Sequence, residues 1–380
     1  MAAQTRRGPS SGDATQPVEF APEWARPPGE ILQAELKARG ITQAELSLRA
    51  SLSAKHVNQV IKGIVNLSPD VAIALERTLD IRADFWLKTE AMWRAIETRA
   101  DSKANLAQFT DWFARFPLAI LMARGIVKQS DDTETRIDLL LRLFRVTDAT
   151  AFDKVWLQPQ ANFKRSQQYD VDPYSTALWI RLAELDAEAR TDDVNDFDPR
   201  RVRLLLPSLP KLTRQEMPEA FVAARDLLAE AGVILVFVPE IANTRICGIS
   251  RWLPSGHPII ALTNRNKRLD SFWFYLAHEL GHVLLHPGRA TYVDLFDKSV
   301  HDDKDEKESA ANEFAERLFL SAQSMDRLAD MAPTEIETFA AELGIATEIV
   351  AGQHAHMTNS WRAVSKLRKS VNLDAMLANV

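Results

Sequence analysis

The sequence predicts a multidomain, mainly α protein with an N-terminal all-α bundle, a helical middle region and a C-terminal α+β domain that contains a small sheet. Three observations support this fold class. Apolar residues recur at helical spacing over most of the chain, short β-branched segments replace that pattern after Gly232, and the helical pattern returns near Leu269. A chain of 380 residues also exceeds one typical core, so two or three domains are expected.

Breaks in these patterns divide the chain into five predicted segments. The first is rich in Ser, Gly, Pro and Thr and is expected to be a disordered tail. The segments are the tail (1–22), a helix-turn-helix domain (23–97), a helical linker region (98–215), the α+β domain (216–330) and a C-terminal helical region (331–380).

Composition limits the class of protein. A net charge of −6 argues against a surface covered in basic residues for nucleic acid, although it allows one small DNA-reading module. The single cysteine, Cys247, excludes an internal disulfide framework and fits a reducing compartment. The sequence contains no apolar run of about 18 residues, so we expect a cytoplasmic protein without a membrane partner.

Two short helices separated by a tight turn lie inside the N-terminal bundle, which is typical of a helix-turn-helix module. Thr42 and Ser53 are placed to cap these helices, with the turn Ala50-Ser51-Leu52 between them. In such a module the second helix enters the major groove of double-stranded DNA. A solvated polar face is the competing interpretation of its outward side chains. The predicted DNA-contacting residues are Gln43, Ser53, Lys55, His56, Asn58, Gln59 and Lys62.

Three segments predict the strands of a small sheet. They are short, β-branched and bounded by Pro, Gly or Ser, as strands usually are. Their sequences are GVILVFVP, CGISRWL and PIIALT.

The stretch WFYLAHELGHVLLHPGR, residues 273–289, places ionisable groups in an otherwise apolar helical run. Such groups are costly to bury unless hydrogen bonds or a metal offset the cost. His278 and His282 are four residues apart and project from the same face of a helix, so they can bind one cation together. Glu279 lies beside the first histidine, where it can act as a base without being a ligand.

A catalytic zinc site of this kind needs a third protein ligand. A third histidine six residues after His282 is absent, because that position is Gly288, and His286 lies one turn too far along the helix. In the later helical segment DEKESAANEFAERLFL, Glu308 is the predicted third ligand and Asn312, one turn on, is predicted to orient a ligand. Glu306 is the rival ligand. The His-His-Glu set resembles that of the gluzincins, which implies a zincin-like domain.

Zn²⁺ held by His278, His282 and Glu308 would make this site a hydrolase centre, with Glu279 as the general base. A peptide substrate could pair with an exposed strand edge, for which Gly248–Trp252 and Ile259–Leu262 are the candidates. Candidates for stabilising the oxyanion are Arg245, Arg251 and Tyr275.

Two resemblances to known families follow from these motifs. The segments AGVILVFVP, CGISRWL, PIIALTNRNK, FWFYLAHELGHVLLH and ESAANEFAERLFL resemble the ImmA/IrrE-type metallopeptidases. That resemblance implies cleavage of a protein substrate, such as a transcriptional repressor or a toxin–antitoxin partner. PPGEIL, TQAELS, HVNQVIKG and LSPDVAIALERTL resemble the HigA-type antitoxins, a branch of the XRE helix-turn-helix regulators, which implies operator DNA and a homodimer. Ser51 departs from this pattern, because a glycine is usual at the turn.

The predicted function is therefore a DNA-binding regulator fused to a zinc-dependent metallo-endopeptidase that cuts a regulatory protein. A second hypothesis is a HigA-like repressor or antitoxin whose zinc domain is structural or sensory and cuts nothing. A third is an interaction protein that uses the helical bundle for docking without DNA. Glu279 argues against the second, because a structural zinc site needs no base.

Overall fold

The structure is a computed structural model that describes residues 26–157, 171–286, 292–295 and 306–377. The predicted tail, 1–22, lies outside the described residues. The chain forms two compact units, residues 1–108 and 109–380, and the predicted mainly α multidomain fold is confirmed. None of the helices in the described part of the chain is long and apolar enough to cross a membrane.

The first unit is a bundle of five helices around one small core. Their leucine and valine side chains pack around Trp86, which is fully buried, and burial of each such side chain contributes about 1.5–3 kcal/mol. The helices are α1 (Pro28–Ala38), α2 (Gln43–Arg49), α3 (Ala54–Ile61), α4 (Pro69–Leu79) and α5 (Ala83–Ala104).

The predicted caps around the turn between α2 and α3 are present. Thr42 Oγ1 accepts a hydrogen bond from the backbone N–H of Glu45, and Ser53 Oγ accepts one from His56, each at 3.1 Å. Ser51 has a φ of +54°, in the left-handed region where glycine is favoured. The chain therefore makes the turn with serine in the strained conformation that a glycine would adopt freely.

The second unit begins with a series of helices that carry a cluster of aromatic rings. Trp112 and Trp156 are buried in this cluster, and Trp179 donates its indole N–H to the carbonyl of Val238 at 3.3 Å. The predicted domain boundaries stay predictions. The helices are α6 (Thr110–Phe113), α7 (Leu118–Ala123), α8 (Thr133–Phe144), α9 (Ala149–Phe152), α10 (Pro173–Glu188), α11 (Pro199–Leu205), α12 (Leu209–Leu212) and α13 (Glu219–Ala229).

The three predicted strands are present, and a fourth joins them in a sheet of order β1-β3-β2-β4. β1 pairs with β3 in parallel, whereas β2 is antiparallel to both β3 and β4. In register, Gly248 lies opposite Leu262 on β3 and Asp294 on β4. The strands are β1 (Ile234–Phe237), β2 (Ile246–Trp252), β3 (Pro258–Leu262) and β4 (Tyr292–Leu295).

The sheet order corrects the predicted substrate edge. Gly248–Trp252 and Ile259–Leu262 are wrong as edge candidates, because β2 and β3 are both interior strands of the described sheet. Their backbone groups pair with neighbouring strands, so they are not available to an added peptide. The edges of the described sheet are β1 and β4.

Helices of the C-terminal part cover the sheet and complete the main core. α14 contacts β2 and β3 as well as α15 and α18, so it lies at the centre of this part. The helices are α14 (Leu269–Leu285), α15 (Glu306–Phe319), α16 (Ala322–Ala329), α17 (Ile336–Leu343), α18 (Thr347–Thr358) and α19 (Leu373–Met376).

Candidate metal centre

Three ionisable side chains in the second half of α14 are buried. His278, Glu279 and His282 are exposed by 2%, 0% and 2%, because this helix is apolar almost all round and is enclosed on several sides. Unpaired groups at this depth would cost several kcal/mol, so the neighbours of the three side chains decide what they can do.

The helix α15 brings an acid to the histidine pair. Gly281 allows α14 and α15 to pack closely, since a Cβ at this position would lie only 3.1 Å from the Cα of Ala311. Glu308, in the first turn of α15, then places Oε2 3.4 Å from His278 Nε2 and 3.5 Å from His282 Nε2. These ligand atoms form a His278, His282 and Glu308 group that could hold a metal ion.

Asn312 sets the orientation of the first histidine. Its Oδ1 lies 2.9 Å from His278 Nδ1, and an amide oxygen only accepts, so Nδ1 carries the proton. In the neutral ring, Nε2 of His278 is then an acceptor directed at Nε2 of His282, 2.9 Å away. Acceptor atoms that converge in this way are the arrangement that a bound cation satisfies.

The distances also fit zinc. Bonds of about 2.0–2.2 Å at tetrahedral angles separate two ligand atoms by roughly 3.3–3.5 Å. The separations of Glu308 from the two imidazoles, 3.4 and 3.5 Å, match this value. The 2.9 Å between the imidazole nitrogens is shorter, so the two rings would separate slightly on binding.

Electrostatics favour the protonation states that bind metal. Burial lowers the pKa of His282, and Glu308 opposes this effect without cancelling it. Burial also opposes ionisation of Glu308, but hydrogen bonds that His278 and His282 donate when their Nε2 atoms carry protons outweigh that effect and hold the pKa of Glu308 well below its usual range. A bound cation would take the place of those protons. Near neutral pH, His282 is therefore a neutral imidazole and Glu308 a carboxylate, which are the forms that coordinate metal.

The carboxyl group of Glu279 is held against β2. A Cβ built on Gly248 would lie 3.0 Å from Glu279 Oε1, so the absence of a side chain at this position makes room for the carboxylate. The positions of His278, Glu279 and His282 in the sequence indicate the role of Glu279 but not that of Gly248. The signal in the sequence for Gly248 is its place inside a strand, since a glycine there often marks the close approach of another group.

His286 and Glu306, the other metal ligands considered, and the oxyanion candidate Arg251 have different surroundings. His286 Nε2 is 3.1 Å from the carbonyl of Lys307, and Glu306 is exposed at the start of α15. Neither residue belongs to the metal-binding group. Arg251 contacts Glu184 of α10 at 2.9 Å and lies over the ring of Trp156, and its role as an oxyanion candidate stays a prediction.

Two protein-family models match the chain. Residues 229–352 match the IrrE N-terminal-like domain of the M78 peptidases, and residues 32–86 match a helix-turn-helix model. The chain carries a helix-turn-helix domain and an IrrE-like domain. A search of curated proteins finds no match. The IrrE-like match includes the sheet, α14 and α15, and its family indicates a metallopeptidase-type domain.

In the helix-turn-helix domain, several predicted DNA-contacting residues have partners within the bundle. Ser53 Oγ caps α3, and Asn58 Nδ2 donates to Gln43 Oε1 across a long 3.4 Å contact that joins α3 to α2. These polar groups would have to share or exchange partners on binding DNA.

The other predicted contacts of the helix-turn-helix domain differ in exposure. Lys55 and Lys62 are exposed at opposite ends of α3, whereas His56 and Gln59 are half-buried. Gly29 of α1 packs closely against the end of α3, because a Cβ at Gly29 would lie 2.2 Å from the carbonyl oxygen of Ile61. Nothing in the sequence around Gly29 indicates this close packing.

Proposed function

We propose that the chain is a DNA-binding transcriptional regulator fused to a zinc-dependent metallo-endopeptidase that hydrolyses a peptide bond in a regulatory protein. The substrate class is a repressor or a toxin–antitoxin partner, and the protein acts in the cytoplasm. The helix-turn-helix match and the IrrE-like match support the two halves of this proposal.

One observation gives the main support for the enzymatic part of this proposal. His278, His282 and Glu308 converge from two helices at distances that suit one zinc ion, with Glu279 adjacent to the first histidine. A structural zinc site is normally closed by four protein ligands, whereas catalytic sites have three and keep one position open. Among the residues that the structure describes, the group has three members, which supports the catalytic type.

Zinc held by this group supplies a Lewis acid that activates water and polarises a carbonyl. Within the chain, we assign to the carboxylate of Glu279 the role of taking a proton from the attacking water and passing it to the leaving amine. Asn312 keeps the Nδ1 proton of His278 in place, so that Nε2 stays a ligand. The packing of α14 against the sheet and α15 buries His278, Glu279 and His282, and burial strengthens their electrostatic interactions.

The edge strand β4 is the proposed place for a peptide substrate. Asp294 of β4 pairs with Gly248, the residue that contacts Glu279, so β4 is separated from the candidate base by one strand. A peptide that adds to the outer edge of β4 would gain main-chain hydrogen bonds close to the metal site.

We propose that α3 enters the major groove of DNA and that Lys55 and Gln59 contact bases or phosphates. Modules of this kind read paired half-sites, so we propose that the protein binds its operator as a homodimer.

The test of the enzymatic proposal is Glu279→Gln, which removes the base while preserving the size of the side chain. The zinc-loaded parent should cleave members of a fluorogenic peptide library, and E279Q should have the same zinc content and thermal midpoint with no detectable cleavage. Equal cleavage by both proteins would exclude Glu279 as the base. Absence of cleavage by a fully zinc-loaded parent would favour the non-proteolytic repressor.

A further inference from the structure

A cavity of about 220 Å³ lies beside β1, at the side of the IrrE-like domain formed by α13 and the end of α10. Its apolar wall is the start of the sheet, Val233–Leu235, whose side chains are buried. Since one water occupies about 30 Å³ of liquid, the cavity has room for several waters or a small ligand.

Two arginines from separate elements line this cavity. Arg190 follows the C-terminal end of α10, and Arg225 projects from α13. Arginine side chains carry a planar fork of N–H donors that matches the oxygens of phosphate and carboxylate groups. Two such forks on the wall of one small cavity are suited to an oxyanion.

The charged side chains that line the cavity differ in their exposure to solvent. Arg225 has a side chain that is only 20% exposed, whereas Asp226, whose Oδ1 lies 3.2 Å from Arg225 Nε, is 66% exposed. Arg190 is half-buried and Asp193 is exposed. The two acids of the lining are therefore more exposed than the two arginines, and solvent screens the charges of the acids more strongly.

The two guanidinium groups also disfavour each other. Burial lowers the pKa of Arg190, and the positive charge of Arg225 lowers it further, against the opposing effect of Asp186, Asp193 and Asp226. A bound anion between the two arginines would relieve this repulsion.

We propose that this cavity is a binding site for a small ligand with one phosphate or carboxylate group, held by Arg190 and Arg225 against the apolar wall of β1. The site shares no residue with the metal-binding group or with the predicted DNA-contacting residues. The ligand binds to the domain independently of zinc, and it would make the stability of this domain depend on the concentration of a small anion.

The experiment uses the full-length, zinc-loaded protein with two probes, inorganic phosphate and succinate, at constant ionic strength set with sodium chloride. Calorimetric titration should give saturable binding of at least one probe, together with a concentration-dependent rise in the thermal midpoint that chloride does not produce. Binding of phosphate alone, succinate alone or both supports the proposal and distinguishes a phosphate head group from a carboxylate.

Matched variants locate the site. Arg190→Gln and Arg225→Gln should each weaken binding about tenfold or more, since each removes a charge-assisted hydrogen bond. Arg200→Gln, which changes an exposed arginine outside the cavity, should bind as the parent does. Ala229→Leu fills the cavity while leaving both arginines, and it should abolish binding without changing zinc content, so the proposal can still be tested if an arginine variant fails to fold.

Two results would overturn the proposal. One is the absence of saturable binding of either probe above the chloride control. The other is parent-like binding by folded R190Q, R225Q or A229L, which would place the bound anion elsewhere.

Discussion

Gly248 on β2 lies against the side chain of Glu279 on α14. A Cβ added at Gly248 would lie 3.0 Å from Oε1 and 3.2 Å from Cγ of the glutamate. The absence of a side chain at position 248 therefore makes room for the carboxylate of the proposed base.

Gly248→Ala should misplace the proposed base without removing any ligand. We expect kcat for peptide cleavage to fall about 10–100-fold with zinc content unchanged, because small displacements of a catalytic group cost up to about 10²-fold. Ser250→Ala, which removes an atom from the same strand, is the control and should retain activity. Unchanged kcat in folded G248A would contradict this role of the contact.

Asn312→Ala should weaken zinc binding. The variant loses the acceptor that fixes the Nδ1 proton of His278, and the loss of such a partner typically costs 10–100-fold in metal affinity. Competition with a chromophoric chelator measures the change. Asn312→Asp retains an oxygen acceptor and should bind zinc more tightly than N312A; equal affinities of N312A and the parent would exclude the orienting role.

Replacing Lys55 and Gln59 by alanine should weaken operator binding without changing zinc content. DNA selected from a random library by the parent protein provides the probe for a gel-shift titration. We expect at least about tenfold weaker binding, and a salt dependence reduced by about one phosphate contact. Lys37→Ala changes an exposed lysine of α1 and serves as the control. If the double variant binds like the parent, α3 is not the recognition helix.

Ser51→Gly should stabilise the helix-turn-helix domain. Serine pays a steric penalty at φ +54° that glycine avoids, and the greater freedom of glycine in the unfolded chain offsets only part of the gain. We expect the free energy of unfolding, measured by urea titration, to rise by about 0.5–1 kcal/mol. The reverse change, Gly40→Ser at φ +65° with no neighbouring atom within 4 Å, should destabilise the domain by a similar amount. Destabilisation by S51G would show that the serine side chain contributes a compensating contact.

The residues that chemistry requires could be found in the sequence, because their types and spacing are unusual in an apolar helix. His278, His282 and Glu308 are examples, and the structure brings them together. The caps Thr42 and Ser53 could also be predicted from the sequence, because a helix cap depends on only a few neighbouring residues.

Features that depend on packing between distant segments could not be read in this way. The four residues of β4 are too few for a clear period, and without β4 the strand β2 was taken as a possible edge. The close approach of Gly248 to Glu279 and the cavity with Arg190 and Arg225 arise only when separate elements meet. The ion pair between Arg251 and Glu184 of α10 likewise joins segments that are far apart in the sequence.

The most direct test of the central claim is the zinc content of purified protein, measured by mass spectrometry for the parent, Glu308→Ala and Glu306→Ala. We predict about one zinc per chain in the parent and in E306A, and loss of most of the zinc in E308A at equal folding. A zinc-free parent in zinc-supplemented medium, or E308A with the zinc content of the parent, would contradict the assignment of a metal to this group.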